Sequence, residues 1–224
     1  MRLTKDKKLV ILSPPRSRSQ WIWESLGDQI YTDMESFFEN NTVDRSEHGW
    51  RTTWPPHTPN YVVSQQLKLD RKTYKTFSVV RNPWDRFVSF YFRLRNVREK
   101  SAKNYAQLTG DKSVLNEHAM TSLACECNFE QFIIQVALGN RTFDLMPTFN
   151  FLLNDKAILD VDYLFKFDDT EGIKQFFESS GYVFQDVGLG SPKRDWRETH
   201  TPTTKKIIES MCELEIRYFG FSFN

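Results

Sequence analysis

The sequence predicts an α/β chain, because a short apolar strand twice runs through an anion-type loop into a helix, and because later helices are marked by their caps. Residues 8–12, Lys-Leu-Val-Ile-Leu, form the first apolar run. Ser-Pro-Pro-Arg-Ser-Arg-Ser-Gln follows, and then Trp-Ile-Trp-Glu-Ser-Leu, which suits a helix. The second unit begins with Phe-Ser-Val-Val-Arg at 77–81, a buried-type strand ending at Arg81. Asn82 is placed to act as N-cap, Pro83 fits the first helical position, and Asp85 stands three residues after the cap. Phe87, Phe90 and Leu94 give that helix an apolar side, and Arg86 and Ser89, three apart, share a face. Helix amides and the positive helix end favour an anion at both junctions.

Further along, Asn128 to Leu138 reads as a helix capped by Asn128 and stopped at Gly139, with Phe132, Ile133 and Val136 toward the core. A final helix is expected from Thr201-Pro202 to Gly220, with Ile207, Met211, Leu214 and Tyr218 on one face. Residues 40–60, carrying Trp50, Trp54, Pro55, Pro56 and Pro59, read as an irregular excursion, longer than most connections and so expected to be functional or mobile.

Composition bounds the partners. At 224 residues the chain is long enough for one α/β domain with a sizeable core. A net charge of +1 gives no global pull toward nucleic acid; basic residues cluster instead at 2–8, 93–103 and 193–206. Cys125, Cys127 and Cys212 form neither a zinc spacing nor a disulfide framework, so reduced thiols and no metal are expected. The N-terminal apolar run stops at Pro14, too short for a membrane span.

The loop at 13–20 lacks glycine and the Gly-Lys-Ser/Thr ending of a nucleoside-triphosphate loop. Arg16 and Arg18 instead offer guanidinium forks suited to phosphate or sulfate, with Ser17 and Ser19 as further donors. Either segment alone also reads as an ordinary turn with solvated arginines. Together they resemble the sulfotransferases that use 3′-phosphoadenosine 5′-phosphosulfate (PAPS). Pro15-Arg16-Ser17-Arg18-Ser19 is similar to that family's 5′-phosphosulfate loop, with Arg16 where many members have lysine and Arg18 where many have glycine. Arg81-Asn82-Pro83, Arg86 and Ser89-Phe90-Tyr91 resemble its 3′-phosphate motif. Pro56-His57, the run from Ser89 to Arg95, residues 161–167 and Tyr218-Phe219-Gly220-Phe221 look like the carbohydrate branch, particularly its uronyl 2-O type.

The resemblance implies a P-loop-like three-layer fold, a central parallel sheet flanked by helices, in one sulfotransferase-like domain over 1–224. It implies PAPS as donor, no metal, and sulfuryl transfer to an acceptor hydroxyl, on a carbohydrate in that branch. Arg16, Ser17, Arg18, Ser19 and Gln20 would bind the donor's phosphosulfate end, Arg81 and Ser89 its 3′-phosphate, and Arg194 would belong to a late basic loop, with Lys193 and Arg197, that closes over the nucleotide. Arg16 would also act in catalysis at the bridging oxygen. Of the four histidines, His48, His57, His118 and His200, the resemblance favours His57 as the catalytic base, with His48, Glu35 or Glu39 in reserve. Animal carbohydrate sulfotransferases generally carry a membrane anchor; with no span here, the cytoplasm is the expected location. Two other classes stay open: a P-loop-like phosphoryl-transfer enzyme, which would want the missing lysine and Ser/Thr, and a nucleotide-binding module without a base.

Overall fold

A computed structural model describes residues 1–6, 8–31, 57, 59–61, 71–97, 120–139, 145–188 and 195–224. The chain packs into two compact units, one of residues 1–81 and 148–191, the other of 82–147 and 192–224.

The first unit carries the sheet. Strands β1 (Arg2–Leu3), β2 (Leu9–Ile11), β3 (Lys75–Val80) and β4 (Tyr163–Lys166) lie in the order β1-β2-β3-β4. β2, β3 and β4 run parallel, Ile11 opposite Phe77 and Phe77 opposite Tyr163, while β1 pairs antiparallel with β2. The predicted parallel sheet is present, with an antiparallel edge strand of two residues that apolar periodicity is too short to reveal. β4, at the edge of the described sheet, is partly exposed, with Tyr163 at 39%.

Helix α1 (Ser19–Leu26) follows β2, and α5 (Thr170–Ser179) follows β4. They contribute Trp21, Ile22, Ile173 and Phe177 to one core cluster with Leu9, Ile11, Phe77 and Val79 from the strands. Phe77, fully buried, has the rings of Phe165, Phe176 and Phe177 at 5.4, 5.1 and 4.9 Å. Removing a ring so placed costs about 3–5 kcal/mol. The strand entrances are tied by Asp162, which accepts from the Thr76 amide at 2.8 Å and from Arg71 at 2.6 Å. Desolvation pushes its carboxyl up, but those donors outweigh it and hold it at about 2.

In the second unit, α2 (Pro83–Val97), α3 (Phe129–Ala137), α6 (Pro202–Met211) and α7 (Glu213–Phe219) surround a core that includes Phe87, Phe90, Leu94, Phe132, Ile133, Val136 and Ile208. The starts lie where the caps predict them. Asn82 accepts from the Trp84 amide at 3.1 Å, Asn128 forms a capping box with Gln131, and Thr201 one with Thr204 ahead of Pro202.

The single final helix expected from 201 to 220 is instead two, broken at Cys212 (φ −121°, ψ 23°), and Gly220 ends the second in the left-handed conformation. The buried positions are Thr204, Ile208, Cys212, Glu215 and Phe219; Leu214 and Tyr218 face outward at 75% and 62% exposure. Glu215 explains the rotation. It is 1% exposed and pairs with buried Arg86, which turns the apolar Leu214 and Tyr218 away. Short helix α4 (Phe149–Leu152) belongs to the first unit. Among the described residues, no disulfide joins Cys125, Cys127 or Cys212. Among the described residues, no helix is long and apolar enough to cross a membrane.

Candidate functional site

The carboxyl ends of parallel strands are where a sheet of this kind presents loops and helix N-termini to ligands. β2 ends at Ile11, and residues 13–18 turn the chain into α1. Ser17 closes the turn: its amide and hydroxyl both donate to the Pro14 carbonyl, at 3.3 and 2.5 Å, and its oxygen lies 3.3 Å from that of Ser19. Arg16 and Arg18 flank it in left-handed backbone conformations, φ 65° and 62°. Such geometry costs a non-glycine residue roughly 1–2 kcal/mol. Arg18 thus adopts, at a position where the related loop often has glycine, the conformation glycine would take at little cost. α1 then starts at Ser19 with no side-chain cap. A helix N-terminus without one is suited to receive an anion.

Arg81, one residue past β3 and 7% exposed, reaches this loop. Its Nη1 donates to the Arg16 carbonyl at 3.1 Å, supporting the backbone where it is left-handed. Its guanidinium carbon lies 4.0 Å from the centre of the Phe167 ring, and that of Arg18 lies 4.4 Å from the same centre. Arg18 Nη1 donates to Thr170 Oγ1 at 2.5 Å, at the first turn of α5. Arg81, the first residue of the second anion-type segment, therefore meets the first at the carboxyl ends of β2 and β3.

His57 joins them. Its Nδ1 lies 2.7 Å from the Ser13 carbonyl oxygen, an acceptor, so Nδ1 carries the proton and donates. In the neutral ring Nε2 then holds the lone pair, the tautomer a base needs. Nearby Asn60, 1% exposed, anchors the segment by donating to the Leu152 and Asp160 carbonyls.

Gln20 is exposed and donates to Glu24 one turn along α1, at 2.8 Å. Arg86, read from the sequence as converging with Ser89 on an anion, is 1% exposed inside the second unit. Its Nη1 donates to the Met146 carbonyl at 2.7 Å and its Nη2 lies 3.5 Å from Glu215, so it is a scaffold residue. Ser89 is half-buried on α2. His200, one of the four candidate bases, is half-buried among the rings of Phe129, Trp196 and Phe223. Its Nε2 lies 3.3 Å from the Trp84 carbonyl. Desolvation lowers its imidazole to about 4, although the Trp84 carbonyl and Asp85 pull the other way. Glu35, Glu39, His48, Trp50, Trp54, His118, Lys193 and Arg194 lie outside the described residues.

Phe167 and Thr170 are the site neighbours that motif spacing misses. The alternation Tyr163, Phe165, Phe167 would have put Phe167 on the face of Phe77, but nothing in it marks a ring that meets two arginines. Among the described residues no cluster of His, Cys, Asp and Glu could hold a metal ion.

Residues 29–171 match the family model described as the sulfotransferase family, a stretch that includes His57, Arg81 and Ser89 and leaves out residues 13–20 and Arg194. No curated protein and no solved structure matches the chain significantly. Well over half of the sequence lies within the family match, and the chain belongs to the sulfotransferase family.

Proposed function

We propose that the chain transfers a sulfuryl group from PAPS to an acceptor hydroxyl on a carbohydrate, without a metal and in the cytoplasm, with residues 1–224 serving as one domain. The observation that carries the donor is the hydrogen bond from Arg81 to the Arg16 carbonyl, which joins two anion-type segments far apart in sequence. Membership of the sulfotransferase family supports sulfuryl transfer. One domain is favoured because each unit is made of two chain segments, so neither is continuous. The carbohydrate acceptor and the uronyl 2-O branch rest on the likeness of Pro56-His57, Ser89 to Arg95, 161–167 and 218–221.

The residues present fit an anionic donor: guanidinium forks, hydroxyls and a helix N-terminus without a side-chain cap. Arg16, Ser17, Arg18, Ser19 and Gln20 would hold the phosphosulfate end; Arg81 and Ser89 would hold the 3′-phosphate, and Arg194 would close over the nucleotide. Bound PAPS supplies the sulfuryl group. The positive charge of Arg16 stabilises negative charge growing on the departing phosphate. His57, with Nδ1–H donating to Ser13, takes the acceptor's hydroxyl proton at Nε2.

The test is turnover of PAPS with a panel of polysaccharides and small hydroxyl compounds. The expected result is a sulfated acceptor, with His57→Ala lowering turnover by about 10²–10⁴-fold and leaving nucleotide affinity unchanged. Use of ATP in place of PAPS would favour phosphoryl transfer, and binding without turnover would favour the silent module.

A further inference from the structure

Phe167 stands where three constraints meet. Its amide donates to the Val80 carbonyl at 2.8 Å, continuing the β3–β4 pairing one residue beyond β4 and fixing the backbone. The ring packs against the sheet unit's core cluster, which fixes the side chain. The guanidinium groups of Arg18 and Arg81 then lie 4.4 and 4.0 Å from its centre. Each of these arginines is tied at a second point, Arg18 to Thr170 and Arg81 to the Arg16 carbonyl.

We propose that Phe167 is a positioning residue, the shared ring that holds the Arg18 and Arg81 guanidinium groups at the anion loop. Two like charges drawn to one place repel each other, and an anionic side chain gathering them would neutralise part of the field an anion is to feel. An aromatic face attracts both through its quadrupole and adds no net charge. Thr170 completes the arrangement by accepting from Arg18. The positions of both arginines are thereby set by a rigid strand end. The inference rests on reading the loop as the donor site.

The experiment replaces Phe167 with phenylalanine analogues of increasing fluorination, which keep the ring's shape while weakening its negative face. Two quantities are followed in the full chain: the guanidinium Nε–H resonances of Arg18 and Arg81, and affinity for 3′,5′-adenosine bisphosphate. Both resonances should move stepwise with fluorination, and affinity should fall progressively to about tenfold below wild type. Phe167→Tyr should retain both properties. Resonances that stay put overturn the proposal, as does affinity that stays flat while the resonances move, since packing alone would then explain the ring. If the wild type shows no preference for a 3′-phosphate, the PAPS reading fails, and the resonances still decide whether the ring holds the arginines.

Discussion

Arg81 and Arg86 stand five residues apart in one motif, and the fold gives them opposite tasks. Arg81 lies at the end of a strand in the sheet unit and turns its charge toward the loop at 13–18. Arg86 lies on the first turns of α2 in the helical unit and sinks into the core against Glu215 and the Met146 carbonyl. Its Nε has no hydrogen-bond partner among the described residues. Two arginines that look alike in a motif therefore divide into one that braces the backbone of the loop at 13–18 and one that holds helices together. The lesson is that a basic residue near an anion motif must be assigned by the element carrying it.

The largest expected effect lies on the buried side of this comparison. Arg86→Ala removes the partner of a carboxylate that is fully buried, and breaking such a pair typically costs about 3–5 kcal/mol. Denaturant unfolding of Arg86→Ala should show that loss, and the double replacement Arg86→Met with Glu215→Leu should recover much of it. If Arg86→Ala is as stable as wild type, the scaffold role assigned to Arg86 is wrong.

A smaller effect separates the units by pH. His200 is lowered from 6.5 to about 4 in the folded second unit, so the unfolded chain binds its proton first as pH falls. Its contribution to stability is complete above about 6.5 and declines as pH drops from there toward about 4. Asp162 in the sheet unit, lowered from 3.8 to about 2, contributes above 3.8 and loses its contribution only between those lower values. Thermal melts across pH should thus begin to weaken in the His200 window, and His200→Gln should flatten that slope without altering the part below pH 4. An unchanged slope in His200→Gln would remove His200 as its source.

What could be read from the sequence follows from what is local. Caps at Asn82, Asn128 and Thr201, and the apolar runs of β2 and β3, are set by neighbours in sequence, and each was legible. The face of α7 was not, because a buried glutamate is invisible to a pattern of apolar residues and its partner Arg86 lies far back in the chain. The candidate site divides the same way. Arg16, Ser17, Arg18 and Arg81 carry recognisable chemistry in short motifs, whereas Phe167 and Thr170 acquire meaning only when the strand order brings β4 beside β3. The link from His57 to Ser13 is to a backbone carbonyl, which no residue type encodes.

The most direct measurement is calorimetric titration of wild type and Arg81→Ala with 3′,5′-adenosine bisphosphate, 5′-AMP and ATP. A donor site built on Arg81 predicts that wild type prefers the ligand with the 3′-phosphate. Arg81→Ala should lose about 10–100-fold in affinity for that ligand, the range of a charge-assisted contact, and little for 5′-AMP. Equal binding of 3′,5′-adenosine bisphosphate and 5′-AMP by wild type, or an equal loss for both in Arg81→Ala, would contradict the assignment of Arg81 to the 3′-phosphate of PAPS.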